Sequence, residues 1–322
     1  MLAGIAYKIA STLVFACMMA IVKGLSHYPV GELVAFRSFF ALIVLVIWLA
    51  QRGEFPQALR TRRVGGHLLR SLAGTGSMAL NFGAFAFLPL ADVTVVGYAS
   101  PLIIVVLAAI WLGERVGPGR WFGVALGFCG VVVMLWEHLG TGDQGFSRGA
   151  IGACMALAAA FCVAVAMIQT SRLVQSEHMG AVVFYFQFTA GCVGLLIMLV
   201  GALWPSSWPL APAMQGLAWV TPSEPSHWAL LILCGLCGGL GQILMTRGYM
   251  LADASIIACF EYVSMIWILA LGVIFLGEFP TLTVLLGAAI VTVAGLMVIW
   301  SEKSKKFPSP APASPISPVG RN

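Results

Sequence analysis

Glu261 is the residue to explain first. It lies in Leu251–Glu278, LADASIIACFEYVSMIWILALGVIFLGE, a stretch long and apolar enough to cross a bilayer. A carboxylate about two turns into such a run is costly, so it faces a cavity or a partner rather than lipid. There it can ligate a solute, take up and release a proton, or make a structural hydrogen bond to a neighbouring helix. Arg37 is the second buried charge, and either pairs with Glu261 or binds an anionic group. Glu32 stands five residues away, about 140° around a helix, so the two do not form an intrahelical pair. Tyr98 and Tyr262 are phenols at matched positions of two similar segments. They either line a cavity or cap helix contacts. Asn81, Gln187 and Gln242 are uncharged hydrogen-bonding groups at depth, equally suited to ligand and interhelical roles. Phe184, Tyr185, Phe186 and Phe188 cover most of one helix, so some face lipid. One or two of them, with Trp267, could stack on a planar solute. Arg70 is expected to snorkel to the membrane surface.

These residues must be positioned by membrane helices. The chain has 322 residues, 60% hydrophobic and only 9% charged, against about a quarter charged in soluble domains. Ten apolar runs reach spanning length: 3–22, 30–50, 66–88, 92–112, 120–137, 148–169, 179–203, 227–248, 252–276 and 281–300. They lack the alternation of short barrel strands. The expected fold is therefore an all-α membrane protein with ten transmembrane helices. With the N-terminus inside, 13 of the 17 Lys and Arg fall on the cytoplasmic side and only Lys23 and Arg148 outside. That positive-inside bias puts both termini in the cytoplasm, for a multi-pass protein of the cell inner membrane.

The chain repeats itself. Leu90–Glu114, LADVTVVGYASPLIIVVLAAIWLGE, opens with Leu-Ala-Asp and closes with Leu-Gly-Glu, as Leu251–Glu278 does. From Leu-Gly-Glu onward the offset is a constant 164 residues, and Gly123 falls on Gly287. Five helices per copy is odd, so the copies enter the membrane opposite ways up, the inverted arrangement of secondary transporters. The expected units are 1–138, 148–300 and a Pro/Ser/Ala-rich disordered cytoplasmic tail, 301–322. The loop 203–226 carries Trp204, Trp208 and Trp219, either at headgroup depth or as a gate.

Several chemistries are excluded. The five histidines fall in loops or span ends with no HExxH, and no Walker motif appears. Cys234 and Cys237 form a CxxC without further ligands, read as packing residues rather than a metal or redox pair. No metal, cofactor, catalytic constellation or nucleic-acid partner is expected. A small-molecule substrate and the bilayer are the expected partners, with a homodimer left open. A lipid enzyme would need clustered interfacial His, Asp or Glu. A scaffold or sensor would need no duplicated polar core.

The paired units Leu112-Gly-Glu…Gly123 and Leu276-Gly-Glu…Gly287 resemble the EamA-type branch of the drug/metabolite transporter superfamily, over about residues 1–300. That resemblance implies ten helices in two inverted five-helix repeats. It also implies export of amino acids, drugs or other metabolites, or uptake of riboflavin or S-adenosylmethionine. The segment Lys23–Phe40 resembles bacterial members associated with riboflavin uptake, which makes riboflavin the leading specific expectation. The residues expected to line the site are Arg37, Asn81, Tyr98, Gln187, Gln242, Glu261, Tyr262 and Trp267.

Overall fold

The computed structural model describes residues 2–111, 116–135, 148–173, 177–207, 215–251, 260 and 263–303. Within them the chain forms α1 (Leu2–Gly24), α2 (Val30–Gln51), a 3-10 turn (Gln57–Leu59), α3 (Val64–Ala84), α4 (Leu90–Gly97) and α5 (Ser100–Trp111). Then follow α6 (Pro118–Leu135), α7 (Arg148–Leu173), α8 (Met179–Leu203), α9 (Pro225–Leu251), α10 (Val263–Leu276) and α11 (Leu282–Lys303). No strand occurs among the described residues.

Among the described residues, six stretches are long and apolar enough to cross a membrane: Leu2–Gly24, Val30–Gln51, Leu90–Trp111, Gly149–Thr170, Met179–Leu203 and Pro225–Met245. Pro118–Val133, Val263–Leu276 and Leu282–Val298 are shorter apolar helices. The chain is thus an all-helical membrane protein. Helix α3 belongs to neither group, because Arg70, Ser71, Thr75, Ser77 and Asn81 dilute its apolar character. The span expected over 92–112 is broken between α4 and α5, with Tyr98 capping α4 at φ −70° and ψ −3°.

The heaviest packing joins helices before residue 136 to helices after residue 148. Helix α1 packs on α9 and α10, α2 on α8 and α9, α3 on α7 and α8, α4 and α5 on α7, and α6 on α11. These pairings exchange with one another when the halves are swapped. The α1–α9 contact maps onto α7–α3, and α2–α9 onto α8–α3. The α2–α8 and α6–α11 contacts map onto themselves. Both self-paired crossings use glycine. A Cβ on Gly194 of α8 would stand 2.6 Å from the Gly31 carbonyl oxygen on α2. One on Gly130 of α6 would stand 3.0 Å from the Gly287 carbonyl oxygen on α11. Small residues let backbones approach this closely where no hydrophobic effect drives association. Helix α9 runs unbroken through Gly235, Gly238, Gly239 and Gly241, and Gly235 and Gly239 pack against α2. Its glycines therefore serve packing rather than unwinding.

Candidate functional site

A cavity of about 240 Å³ lies inside the bundle, and helical periodicity explains its walls. On α3, Arg70, Gly74, Ser77, Met78 and Asn81 recur along one face. On α7, Val163, Ala166, Met167 and Thr170 do the same opposite them. Phe82 of α3, Met18 and Met19 of α1, Arg37 of α2 and Phe186 of α8 complete the lining.

Two guanidinium groups dominate it. Arg37 is 6% exposed and donates from Nη1 to Gln187 Oε1 at 2.6 Å. Arg70 donates from Nε to Thr170 Oγ1 at 3.2 Å, and Thr170 Oγ1 donates onward to the Ala166 carbonyl at 2.7 Å. Both guanidinium carbons stand near the Phe186 ring, Arg37 at 5.6 Å and Arg70 at 4.1 Å from its centroid. Arg37 Nε, Arg70 Nη1 and Gln187 Nε2 are buried without a hydrogen-bond partner. Neither arginine pairs with a carboxylate among the described residues. Uncompensated buried charge is expensive, and cation–π contact with one ring offsets only part of that cost.

The expected site residues separate into groups. Arg37 and Asn81 line the cavity, and Gln187 orients Arg37. Asn81 also donates to the Ser77 carbonyl one turn back at 3.2 Å. Gln242 sits elsewhere, on a small pocket of about 20 Å³ with Trp48, Met179 and Gly180. The Tyr98 hydroxyl forms a short hydrogen bond with Ser264 Oγ, tying the α4–α5 break to α10. Trp267 packs against the main apolar core, its indole N–H buried without a partner. Glu261 and Tyr262 lie outside the described residues, and so does any pairing of Glu261 with Arg37. Glu32 is fully buried and accepts from the Val220 N–H at 3.3 Å, consistent with its facing away from Arg37.

Two cavity residues depart from the sequence reading. Arg70 does not snorkel: α3 packs on α7 and α8, and its guanidinium turns inward over Phe186. The signal was present, since Arg70, Gly74, Ser77 and Asn81 form a stripe at helical spacing. Phe186 is 9% exposed and faces the cavity, whereas Phe188 is 49% exposed and stacks with Phe184. Four aromatics in a five-residue run gave periodicity nothing with which to choose among them.

A second polar cluster closes the bundle where α1 ends. Lys23 Nζ donates to the carbonyls of Phe85 and Leu88, each at 2.7 Å, and stands 3.2 Å from Glu278 Oε1. Glu278 Oε2 accepts from the Leu90 N–H at 2.7 Å. The second Leu-Gly-Glu thus meets the first Leu-Ala-Asp. Gly277 makes this possible, because its φ of +65° ends α10 and turns the carboxylate toward α4. A carboxylate at a helix N-terminus also satisfies an orphan N–H and complements the helix dipole. In the loop between α8 and α9, Trp219 stacks on Phe36 at 5.9 Å, so that tryptophan covers the start of α2.

Known proteins share this chain's pattern. The profile of the EamA-like transporter family matches residues 2–136 and again 150–300. The Pseudopaline exporter CntI of Pseudomonas aeruginosa is 26% identical over 301 residues, covering 93% of this chain and 97% of the exporter. An S-adenosylmethionine uptake transporter of Rickettsia prowazekii is 30% identical over 273 residues, 84% of this chain and 83% of that protein. A riboflavin transporter of Vibrio cholerae is 25% identical over 270 residues, 83% and 82%. A crystal structure aligns with a TM-score of 0.63 at 18% identity, covering 95% of this chain and 99% of that one, a likeness of fold alone. With both halves of the sequence matched and the helical bundle in place, the chain belongs to the EamA-like transporter family of the drug/metabolite transporter superfamily.

Proposed function

We propose that the protein is a secondary transporter that carries a small organic metabolite across a bacterial inner membrane by alternating access. The observation that carries this reading is the cavity lined by α1, α2, α3, α7 and α8, with Arg37, Arg70 and Asn81 on its wall. In this proposal ten spans form two five-helix repeats, 1–138 and 148–300, inserted opposite ways up with both termini cytoplasmic. The exchange of packing partners between the halves supports it, because two alike halves can trade conformations around one site. Glu261 and Tyr262 complete the pathway, with Tyr98, Gln242 and Trp267 on its flanks.

Relatives carry different cargoes in different directions, among them pseudopaline export, S-adenosylmethionine uptake and riboflavin transport. Riboflavin uptake is the specific expectation that the sequence resemblance led with. Uptake or export of amino acids and other metabolites, or uptake of S-adenosylmethionine, stands beside it, since relatives with such cargoes match this chain as well as the riboflavin transporter does.

Reconstituted protein tests this reading. Proteoliposomes are expected to move at least one labelled solute among amino acids, S-adenosylmethionine and riboflavin, and Glu261→Gln to cut that flux sharply while still inserting. Inserted wild-type protein that leaves every gradient untouched would return the chain to a scaffold or lipid-enzyme role.

A further inference from the structure

Arg37 and Arg70 come from different helices, yet both stand over one ring, at 5.6 and 4.1 Å from its centroid. Their charges are therefore within about 10 Å of each other in a water-poor interior, where screening is weak. Like charges held this close raise each other's cost. Among the described residues no carboxylate lowers it, and each guanidinium keeps a buried N–H without a partner. The protein's own polar contacts to them, Gln187 and Thr170, are neutral.

We infer that this cavity is an anion site, in which Arg37 and Arg70 together hold a carboxylate of a small organic ligand. The inference rests on the transporter reading and gives it a substrate class. A guanidinium fork matches the two oxygens of a carboxylate and would use the N–H groups left over here. Phosphate sites usually recruit helix N-termini or nests of backbone N–H groups. The walls here are mid-helix faces whose backbone N–H groups are spent within the helices. The remaining lining, Met18, Met78, Val163 and Phe186, offers an apolar surface to the rest of the ligand. A neutral flavin would leave both charges uncompensated. Binding of the anion removes the repulsion, so the loaded cavity is the better-packed state and the empty one the more open.

The test uses the full chain in detergent micelles and in nanodiscs. Melting temperature and equilibrium binding are measured with succinate, L-glutamate and benzoate. Their methyl esters, inorganic phosphate and riboflavin serve as contrasts. At least one carboxylate is expected to raise the melting temperature at millimolar concentration while its ester does not. Arg37→Gln and Arg70→Gln are each expected to weaken that binding at least tenfold, and Arg70→Lys to retain part of it. The acid–ester contrast on wild-type protein needs no variant to fold. The inference is overturned if no carboxylate binds, if acid and ester bind alike, or if only phosphate or riboflavin binds. Flux of a solute whose acid and ester bind alike would leave transport standing and remove the anion site. Carboxylate binding without flux of any solute would do the reverse.

Discussion

Lys23 ends α1 and Arg37 lies two turns into α2, yet their charges meet opposite surroundings. Lys23 has a carboxylate at 3.2 Å and two carbonyl oxygens at 2.7 Å. Arg37 and Arg70 have one neutral hydrogen-bond acceptor each and a shared aromatic ring. In the first case the protein supplies everything the cation needs, and the result is a tie between chain segments far apart in sequence. In the second it leaves buried N–H groups waiting. A compensated buried charge stabilises an arrangement, whereas an uncompensated one is retained for something that arrives from outside.

Removing each cation should break this comparison in opposite directions. Lys23→Met strands Glu278 and two carbonyls. The full cost of breaking a buried pair is about 3–5 kcal/mol, which residual solvent access here lowers to about 2–3 kcal/mol. Thermal unfolding in detergent is expected to shift down by several degrees, and Glu278→Gln to lose less because its amide still accepts from Leu90. A melting temperature equal to wild type would remove the tie from the account. Arg37→Met should go the other way. It deletes a charge that has no carboxylate partner among the described residues, so the ligand-free protein is expected to be as stable as wild type or up to about 1–2 kcal/mol more stable. A large loss of ligand-free stability would mean that Arg37 is structural.

The smallest effect is expected at the opposite end of the bundle, outside the membrane spans. Glu177 accepts from the Arg62 N–H at 3.1 Å and lies 3.7 Å from His67 Nε2. The Arg62 N–H, the foremost cause, holds the Glu177 carboxyl below its ordinary value of 4.5, with Thr61 and His67 adding to it. A carboxylate with a depressed value stabilises the folded state above the ordinary value, and that contribution is lost as pH falls through the lowered one. Stability is therefore expected to fall below about pH 4.5, slightly more steeply in wild type than in Glu177→Gln. Identical acid profiles would assign Glu177 no such part.

Much of this was legible in the sequence, for physical reasons. Bilayer thickness fixes the length of the apolar runs, and the repeated Leu-Ala-Asp and Leu-Gly-Glu motifs marked where helices start and stop. The latch between Glu278, Lys23 and Leu90 was not legible, because Glu278 stands 188 or more residues from both partners and no periodicity connects them. Arg70 was misread for a different reason. Near a helix end a long side chain can reach headgroups or turn inward, and only the packing of α3 against α7 and α8 decides. Tyr98 was placed at a matched position of the duplication, but its partner Ser264 became visible only in three dimensions.

The duplicated, oppositely inserted architecture is the claim on which the shared cavity depends. Its most direct measurement is side-specific labelling of Glu114→Cys and Glu278→Cys, each in a cysteine-free background, with a membrane-impermeant maleimide on intact cells and on inverted vesicles. The account predicts that Glu278→Cys reacts from outside and Glu114→Cys only from the cytoplasmic face. Reaction of both from the same face would contradict it.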